Sequence, residues 1–385
     1  MSQIFQRASN GNAAFFLQFG GQGSPWYKEL KSYYADPKMK RFFDAALRAV
    51  EEERSTVEGT VGLPHGINAK LWLDDETKIP SDEYLGCAAV SIPMIQMTQL
   101  AHFENLTLSG YDRTKLIAYS LGATGHSQGL IPACLVSMNL EGDDYYAGVA
   151  KFMKYMIYLG VRAQETHPHF TATEEETRLS QELGEKGSPA PMVAVLGETH
   201  EDIKKLVDET NASLPTDKKI YISLFNSPTN RILSSYRSSL VAFHKAHKAR
   251  MDEKKTKFVY LRTTCPFHCP LMEPIRKPFE ADIARLGVDY KGSQIKVPVY
   301  SFFDGRNMQK DANLPIQMYE DMAIHNLHWE KSVKPVADNR SITHILDFGP
   351  GKVSQRLTAD TLAQLSCETS VYAAAVPKDL KELLA

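Results

Sequence analysis

The sequence predicts an α/β protein whose larger part is interrupted by a β-α-β-β-α-β unit. Two observations carry this. Between residues 188 and 264 the patterning reads strand (MVAVL), helix (HEDIKKLVDETNA), two strands joined across SPT (KIYISLFN and NRILSS), helix (YRSSLVAFHKAHKARMD) and strand (TKFVYLRT), which is the ferredoxin-like order. On both sides of it, buried-strand runs end in glycine loops and alternate with apolar helical stretches, as an α/β layer requires. The 385 residues suit two or three units at about 150 residues each. The expected division is a discontinuous large subdomain (14–187 and 265–376), a small inserted subdomain (188–264) and terminal tails (1–13 and 377–385).

The elements follow in order. MSQIFQRASNGN is a polar lead-in, and Phe15–Phe19 is a buried strand running into Gly20, Gly21, Gln22 and Gly23, where glycine permits a tight loop. MKRFFDAALRAVEEE has helical spacing, with Phe42, Phe43, Ala46 and Val50 on one stripe. Tyr84 to Leu106 is apolar enough for a buried helix. Leu116 to Tyr119 reads as strand, Gly122 to Gly129 as a turn, Leu130 to Met138 as the start of a helix, and 141–164 as a helix. Residues 165–190 form an exposed connection with a short helix. Beyond the insertion, IKVPVYSFFDG is extended, Met318 to Val336 is a helical region and THILDFG is a strand.

Composition excludes several classes. Hydrophobic residues make up 43% and charged residues 23%, which is ordinary for a globular chain. Lys plus Arg is 44 against 46 Asp plus Glu, a net charge of −2, and lacks the basic surplus of a nucleic-acid binder. No apolar run reaches the length of about 20 residues that a membrane span needs. The first residues lack the basic-then-apolar order of a signal peptide. Five cysteines, an odd and low number, argue against a disulfide framework and fit a reducing cytoplasm.

The strongest local signal is Gly125-His126-Ser127-Gln128-Gly129, a G-x-S-x-G pattern between a strand and a helix. On a sharp turn Ser127 projects its hydroxyl, the amide that follows it points at a developing oxyanion, and the helix N-terminus adds a favourable dipole. A glycine-rich turn with an exposed serine would carry the same letters. A serine nucleophile needs a base. His126 points elsewhere if the turn forms, and His167, His169, His244 and His247 sit in polar or helical stretches typical of surface residues. His268, in Cys265-Pro266-Phe267-His268-Cys269-Pro270-Leu271-Met272, stands where the chain returns from the insertion, a position suited to a cleft. A loop histidine capping a carbonyl is the alternative. Cys265, His268 and Cys269 lack the second cluster that a structural zinc site would want, so no metal is expected and the thiols read as packing residues.

Four motifs taken together resemble the malonyl/acetyl-CoA:acyl-carrier-protein acyltransferases, most closely the acetyltransferase domain of the fungal-type fatty acid synthase β chain. They are FGGQGSP (Phe19 to Pro25), GATGHSQGL (Gly122 to Leu130), CPFHCPLM (Cys265 to Met272) and THILDFGPGKV (Thr343 to Val353), and the resemblance runs from about Phe15 to Val376. It implies an α/β-hydrolase-like large subdomain with a ferredoxin-like insertion and a cleft between them. It implies Ser127 as nucleophile, His268 as general base and later acid, and the backbone amides of Gln22 and Gln128 as the oxyanion hole. It also implies a Ser–His dyad in which a backbone carbonyl, near Met322 by counting back from Trp329, orients the histidine. Asn226 matches a cleft-facing residue of the small subdomain. The donor implied is an acyl-CoA and the acceptor the phosphopantetheine of an acyl carrier protein, with no bound cofactor. The chain could stand alone or belong to a larger synthase assembly.

One departure bears on selectivity. Malonyl-selective relatives place an Arg before a Gly in the helix after the nucleophile, and its planar fork binds the free carboxylate. Here the pair is Leu159-Gly160. Leucine leaves a carboxylate unpartnered, so acetyl or another short uncharged chain is expected. Arg162, one turn on, is the rival candidate for that carboxylate. FGGQG also replaces a proline-bearing FPGQG, with the oxyanion donor retained. The alternatives to starter transfer are malonyl transfer, hydrolysis of carrier-bound thioesters by the same residues, and a non-catalytic docking module.

Overall fold

The computed structural model describes residues 2–385. Its first sheet is parallel, in the order β2-β1-β8-β9, built from β1 (Phe15–Phe19), β2 (Ser120–Gly125), β8 (His344–Asp347) and β9 (Ser370–Ala373). Every residue of β1 is buried, as expected for a strand covered on both faces. Phe19 lies opposite Gly125, and Gln18 opposite Asp347, so these three strands end level with one another. Loops at the carboxyl ends of parallel strands are where α/β sheets place ligands.

β2 departs from expectation. Leu116 to Tyr119 is not the strand: Arg113–Ala118 is a helical turn, capped by Asp112 on the amide of Lys115, and the strand is Ser120–Gly125. Within Ser-Leu-Gly-Ala-Thr-Gly, the bulk that marks a strand is missing at Gly122 because packing forbids it. A Cβ on Gly122 would stand 2.7 Å from the Phe16 ring and 3.0 Å from the Tyr300 ring.

Three long helices pack against one another. Lys40–Val57 buries the expected stripe of Phe42, Phe43, Ala46 and Val50. Ala88–Leu108 is buried nearly all round, and Gly142–Thr166 packs against it and against Lys40–Val57. The approach to Ala88–Leu108 is close, since a Cβ on Gly160 would lie 2.6 Å from the Ala88 carbonyl oxygen. The short helix of the exposed connection is Glu174–Glu182. Both expected tails are helical instead: Gln3–Ser9 is capped by Ser2 and buries Phe5 against Phe15 and Tyr111, while Pro377–Leu384 accepts the Tyr111 hydroxyl at the Leu383 carbonyl. Among the described residues no helix is long and apolar enough to cross a membrane.

The second sheet is made by β3 (Met192–Leu196), β4 (Tyr221–Ser227), β5 (Asn230–Ser234) and β6 (Lys257–Tyr260), in the spatial order β6-β3-β5-β4, all antiparallel. The helices His200–Ser213 and Arg237–Lys254 join them and share a core with Val193, Leu233 and Phe258. This is the element order read from the sequence. Two-residue β7 (Leu327–His328) extends the sheet, pairing parallel with Leu224 and Phe225 on the β4 edge.

Met318 to Val336 is not one helical region. It runs as a helix (Leu314–Tyr319), a π-helical turn (Glu320–Ile324), β7, and a second helix (Trp329–Asp338). The wider turn is closed by the His325 amide donating to the Glu320 carbonyl, 2.8 Å. Insertions of this kind interrupt a helix where a site needs the backbone.

Candidate active site

Three loops at the carboxyl ends of β1, β2 and β8 build one wall of the site. β2 turns sharply through His126 into Ser127–Gly129 and then the helix Leu130–Ser137. Ser127 has φ +55°, a left-handed backbone that costs a non-glycine residue about 1–3 kcal/mol. The glycines make that turn possible. A Cβ on Gly125 would lie 1.9 Å from the Gly129 carbonyl carbon, and one on Gly129 would lie 2.3 Å from the Phe19 carbonyl oxygen. The His126 amide donates to that same Phe19 oxygen, 2.8 Å, tying the turn to β1.

The loop after β1 lies against this elbow. A Cβ on Gly21 would stand 2.8 Å from His126 Nδ1 and 3.5 Å from Ser127 Cβ, so only glycine allows the approach. Gln22 follows Gly21 in this loop and Gln128 follows Ser127, and each side chain is hydrogen-bonded to the helix Ala88–Leu108. Gln22 Nε2 donates to Ser91 Oγ at 2.8 Å, and Gln128 Nε2 donates to the Ile92 carbonyl at 3.2 Å. The loop after β8 backs the first: the Gly20 amide donates to the Gly349 carbonyl at 2.9 Å, and Gln99 Nε2 bridges the carbonyls of Gly20 (2.6 Å) and Gly349 (3.1 Å). Asp347, fully buried, accepts from the Gly349 amide, Ser354 Oγ and Gln18 Nε2. Burial pushes its carboxyl up to about 6 while these donors oppose the rise.

His268 comes from the junction after β6. Its Nε2 lies 2.7 Å from Ser127 Oγ and its Nδ1 lies 2.9 Å from the His325 carbonyl oxygen. A carbonyl accepts only, so Nδ1 carries the proton and Nε2 is the free acceptor facing the serine. The His268 backbone is left-handed, φ +63°, and its amide donates to the Ala323 carbonyl at 2.7 Å. Burial pushes the imidazole down to about 4; the bond to His325 opposes that. The ring is neutral at neutral pH and ready to accept a proton. Cys265 and Cys269 beside it are buried free thiols, and burial pushes both up, to about 12 for Cys269.

The orienting carbonyl is that of His325, not one near Met322. Counting back from Trp329 lands three residues early, because His325 to Trp329 departs from the usual pattern and the chain there passes from the π-helical turn into β7. His126 does point away from Ser127: its Nε2 meets Asn226 Oδ1 at 2.9 Å, joining β4 to the elbow, and its ring lies beside Trp329. His244, expected at the surface, is 2% exposed and stacks on Phe258 at 4.1 Å.

Arg162 is paired with carboxylates of this chain. Its Nε and Nη2 donate to the two oxygens of Asp282 (2.7 and 3.1 Å), and its Nη1 donates to Glu165 at 2.8 Å. Leu159 is fully buried on the same helix. One turn further, Gln164 Oε1 accepts from Thr264 Oγ1 (2.6 Å) and from the Ala88 amide (3.2 Å), packing this helix onto the chain that leads to His268. Sequence reading missed Ala323 and His325, which lay inside an apparent helix, and Ser91 and Gln99. The signal for those two was there: polar residues inside an apolar helix that nothing exposes.

Residues 17–268 match the family model "Starter unit:ACP transacylase in aflatoxin biosynthesis". The fatty acid synthase subunit beta of Saccharomyces cerevisiae is 30% identical over 376 residues, covering 92% of this chain and 18% of that protein. Its counterpart in Schizosaccharomyces pombe is 29% identical over 357 residues, covering 87% of this chain and 17% of that one. The chain thus spans less than a fifth of the length of these relatives. Among solved structures, a malonyl-CoA:acyl carrier protein transacylase from Xanthomonas oryzae superposes with TM-score 0.68 at 18% identity, over 100% of this chain and 98% of that one. An acyl-carrier-protein S-malonyltransferase from Burkholderia pseudomallei gives 0.67 at 17%, over 96% and 99%. At these identities the likeness is one of fold. By the family match, which covers well over half its length, this chain belongs to the starter unit:ACP transacylases, an acyltransferase family.

Proposed function

We propose that the chain transfers an acyl group from acyl-CoA to the phosphopantetheine thiol of an acyl carrier protein through an acyl-Ser127 intermediate, and that the acyl group is acetyl or another short uncharged starter. The observation that carries this is the contact of Ser127 Oγ with His268 Nε2 at 2.7 Å, on a left-handed elbow, with His268 Nδ1 donating to a carbonyl. His268 takes the Ser127 proton as the serine attacks the thioester. The backbone amides of Gln22 and Gln128 hold the oxyanion, and the helix Leu130–Ser137 leaves the elbow with its positive end toward it. Collapse expels the CoA thiol, protonated by His268. The carrier thiol enters, loses its proton to the same imidazole and takes the acyl group.

A cavity of about 450 Å³, lined in part by Ser24, Trp26, Ser91, Tyr260, Arg262 and Thr264, adjoins the loop that carries Gln22 and is the candidate seat for part of a long thioester. Ser91 belongs both to it and to the anchor of the oxyanion loop. The cavity takes residues from the proposed large subdomain (14–187 and 265–376) and from the proposed insertion (188–264), as a site between two units does. A malonyl-transacylase in complex with its type II polyketide carrier protein is among the structural neighbours, which supports the choice of acceptor. The uncharged acyl group rests on Leu159 and on the commitment of Arg162 to Asp282 and Glu165.

The test is a panel of acyl-CoA donors scored by mass shift on Ser127, with transfer to carrier protein and hydrolysis followed in parallel. Acetyl and short alkyl donors load and transfer. Malonyl loading as fast as acetyl overturns the selectivity, and hydrolysis outpacing transfer makes the enzyme an editing hydrolase instead.

A further inference from the structure

His268 is held at both ends by one short segment. Its amide donates to the Ala323 carbonyl (2.7 Å) and its Nδ1 to the His325 carbonyl (2.9 Å). A backbone carbonyl has no rotamer of its own, so its aim depends on what fixes the peptide. Here that is done by side chains. His325 Nδ1 lies 2.9 Å from Oδ1 of Asp321, four residues earlier on the π-helical turn, and the His325 ring stacks on Phe303 at 4.1 Å and 20°.

Asp321 is fully buried, and burying a carboxylate is costly unless it is paired and hydrogen-bonded. Its Oδ2 accepts from Ser301 Oγ (2.7 Å) and from Arg306 Nη2 (3.0 Å). Arg306 is itself bound by Asp311 at 3.3 Å and Asp304 at 3.1 Å. Phe302, between Ser301 and Phe303, presents its ring to that of His268 at 5.5 Å. The loop 301–306 and the turn 320–325 thus close around the imidazole, with Asp321 as the joint between them.

We propose that Asp321 and the His325 side chain are positioning residues for His268, fixing the His325 carbonyl that holds the base in its Nδ1–H form and steadies the imidazolium formed during acyl transfer. This rests on the reading of Ser127 and His268 as nucleophile and base. The dyad is backed by a relay of ordinary contacts: His268 to a carbonyl, that residue's ring to a buried carboxylate, and the carboxylate to Arg306 and Ser301. The Asp321 carboxylate bonds to His325, Ser301 and Arg306 and not to Ser127, so its effect falls on the chemical step and leaves binding alone.

The experiment compares His325→Phe with His325→Asn. Phenylalanine keeps the backbone carbonyl and the stack on Phe303 but cannot donate to Asp321. The Asn amide nitrogen can stand where Nδ1 stands. Acetyl-Ser127 formation from acetyl-CoA is followed by mass under single-turnover conditions, KM is taken from steady-state rates, and each variant's thermal melt is recorded. The Phe variant loses about tenfold in kcat, as for a hydrogen bond to a charged group, with KM unchanged, and the Asn variant recovers most of it. Ser301→Ala, which removes one donor to Asp321, gives a fall of about threefold in the same direction and serves if the Phe variant does not fold. A folded Phe variant at the wild-type rate, equal losses in Phe and Asn, or a change in KM alone overturns the inference. Wild-type protein that gains no acyl group on Ser127 overturns the dyad itself, a result distinct from these.

Discussion

Ser127 and His268 share an uncommon backbone, with φ of +55° and +63°, and they are held in it by opposite means. At the elbow the device is local: Gly125 and Gly129 lie within two residues, and their missing Cβ atoms are the space the turn occupies. At the base the device is remote. His268 sits among Pro266, Phe267, Cys269 and Pro270, and is fixed by carbonyls from Ala323 and His325, more than fifty residues away. The first kind of support is written in a pentapeptide. The second exists only once the chain has folded.

Substitutions can break the two supports separately. The largest effect is expected at the nucleophile: Ser127→Ala removes all acyl-enzyme and leaves the melt near wild type, since a small side chain loses only one hydroxyl. Retention of an acyl group on any serine would show that the nucleophile lies elsewhere. Gly125→Ala puts a methyl 1.9 Å from backbone, so the elbow itself must give way. A destabilisation of about 4 kcal/mol or more is expected, read as a lower denaturant midpoint together with lost activity.

His268→Ala breaks the remote support at its centre. Acylation should slow by about 10²- to 10⁴-fold with the fold intact, measured by pre-steady-state acyl transfer. The same residue sets the pH response. Its imidazole is held down at about 4, below the usual 6.5, so the folded protein keeps a working base as pH falls. The acid limb of kcat/KM should therefore lie well below pH 6.5. The linked effect on stability has the opposite convenience. The unfolded chain takes up this proton near 6.5 and the folded one only near 4, so the contribution is full above pH 6.5 and is lost as pH falls toward 4. A limb at pH 6.5 or above would mean that another group does the work.

The smallest effect is expected at Leu159. Leu159→Arg should raise malonyl over acetyl loading by roughly tenfold, the worth of one charge-assisted bidentate pair. Equal loading of the two donors by the wild type would remove the premise, and a collapsed melt in the variant would show Leu159 to be a packing residue.

Much of this molecule is legible in its sequence, where local chemistry dictates the outcome. The strands and helices from Met192 to Tyr260 follow from alternation and periodicity, and the elbow follows from its glycines. What was misread depends on partners far along the chain. Ser120–Gly125 is a strand despite its glycine at 122, because Phe16 and Tyr300 fill the space that a side chain there would take. The apolar stretch 318–336 hides a break, because the π-helical turn and β7 that interrupt it are set by pairing with His268 and β4 rather than by local pattern. Arg162 looked free because Asp282 lies 120 residues away.

The pairing of β7 with β4 bears on the exchange of parts between enzymes. The inserted sheet does not end at its own last strand: its β4 edge is completed by Leu327 and His328, from the stretch that carries the orienting carbonyl. A graft that swapped residues 188–264 for those of a relative would cut this seam, leave an unpaired edge, and disturb the aim of the base along with the pocket wall. A workable transplant has to carry 320–328 with it, so the inserted sheet and the aim of the base move as one block.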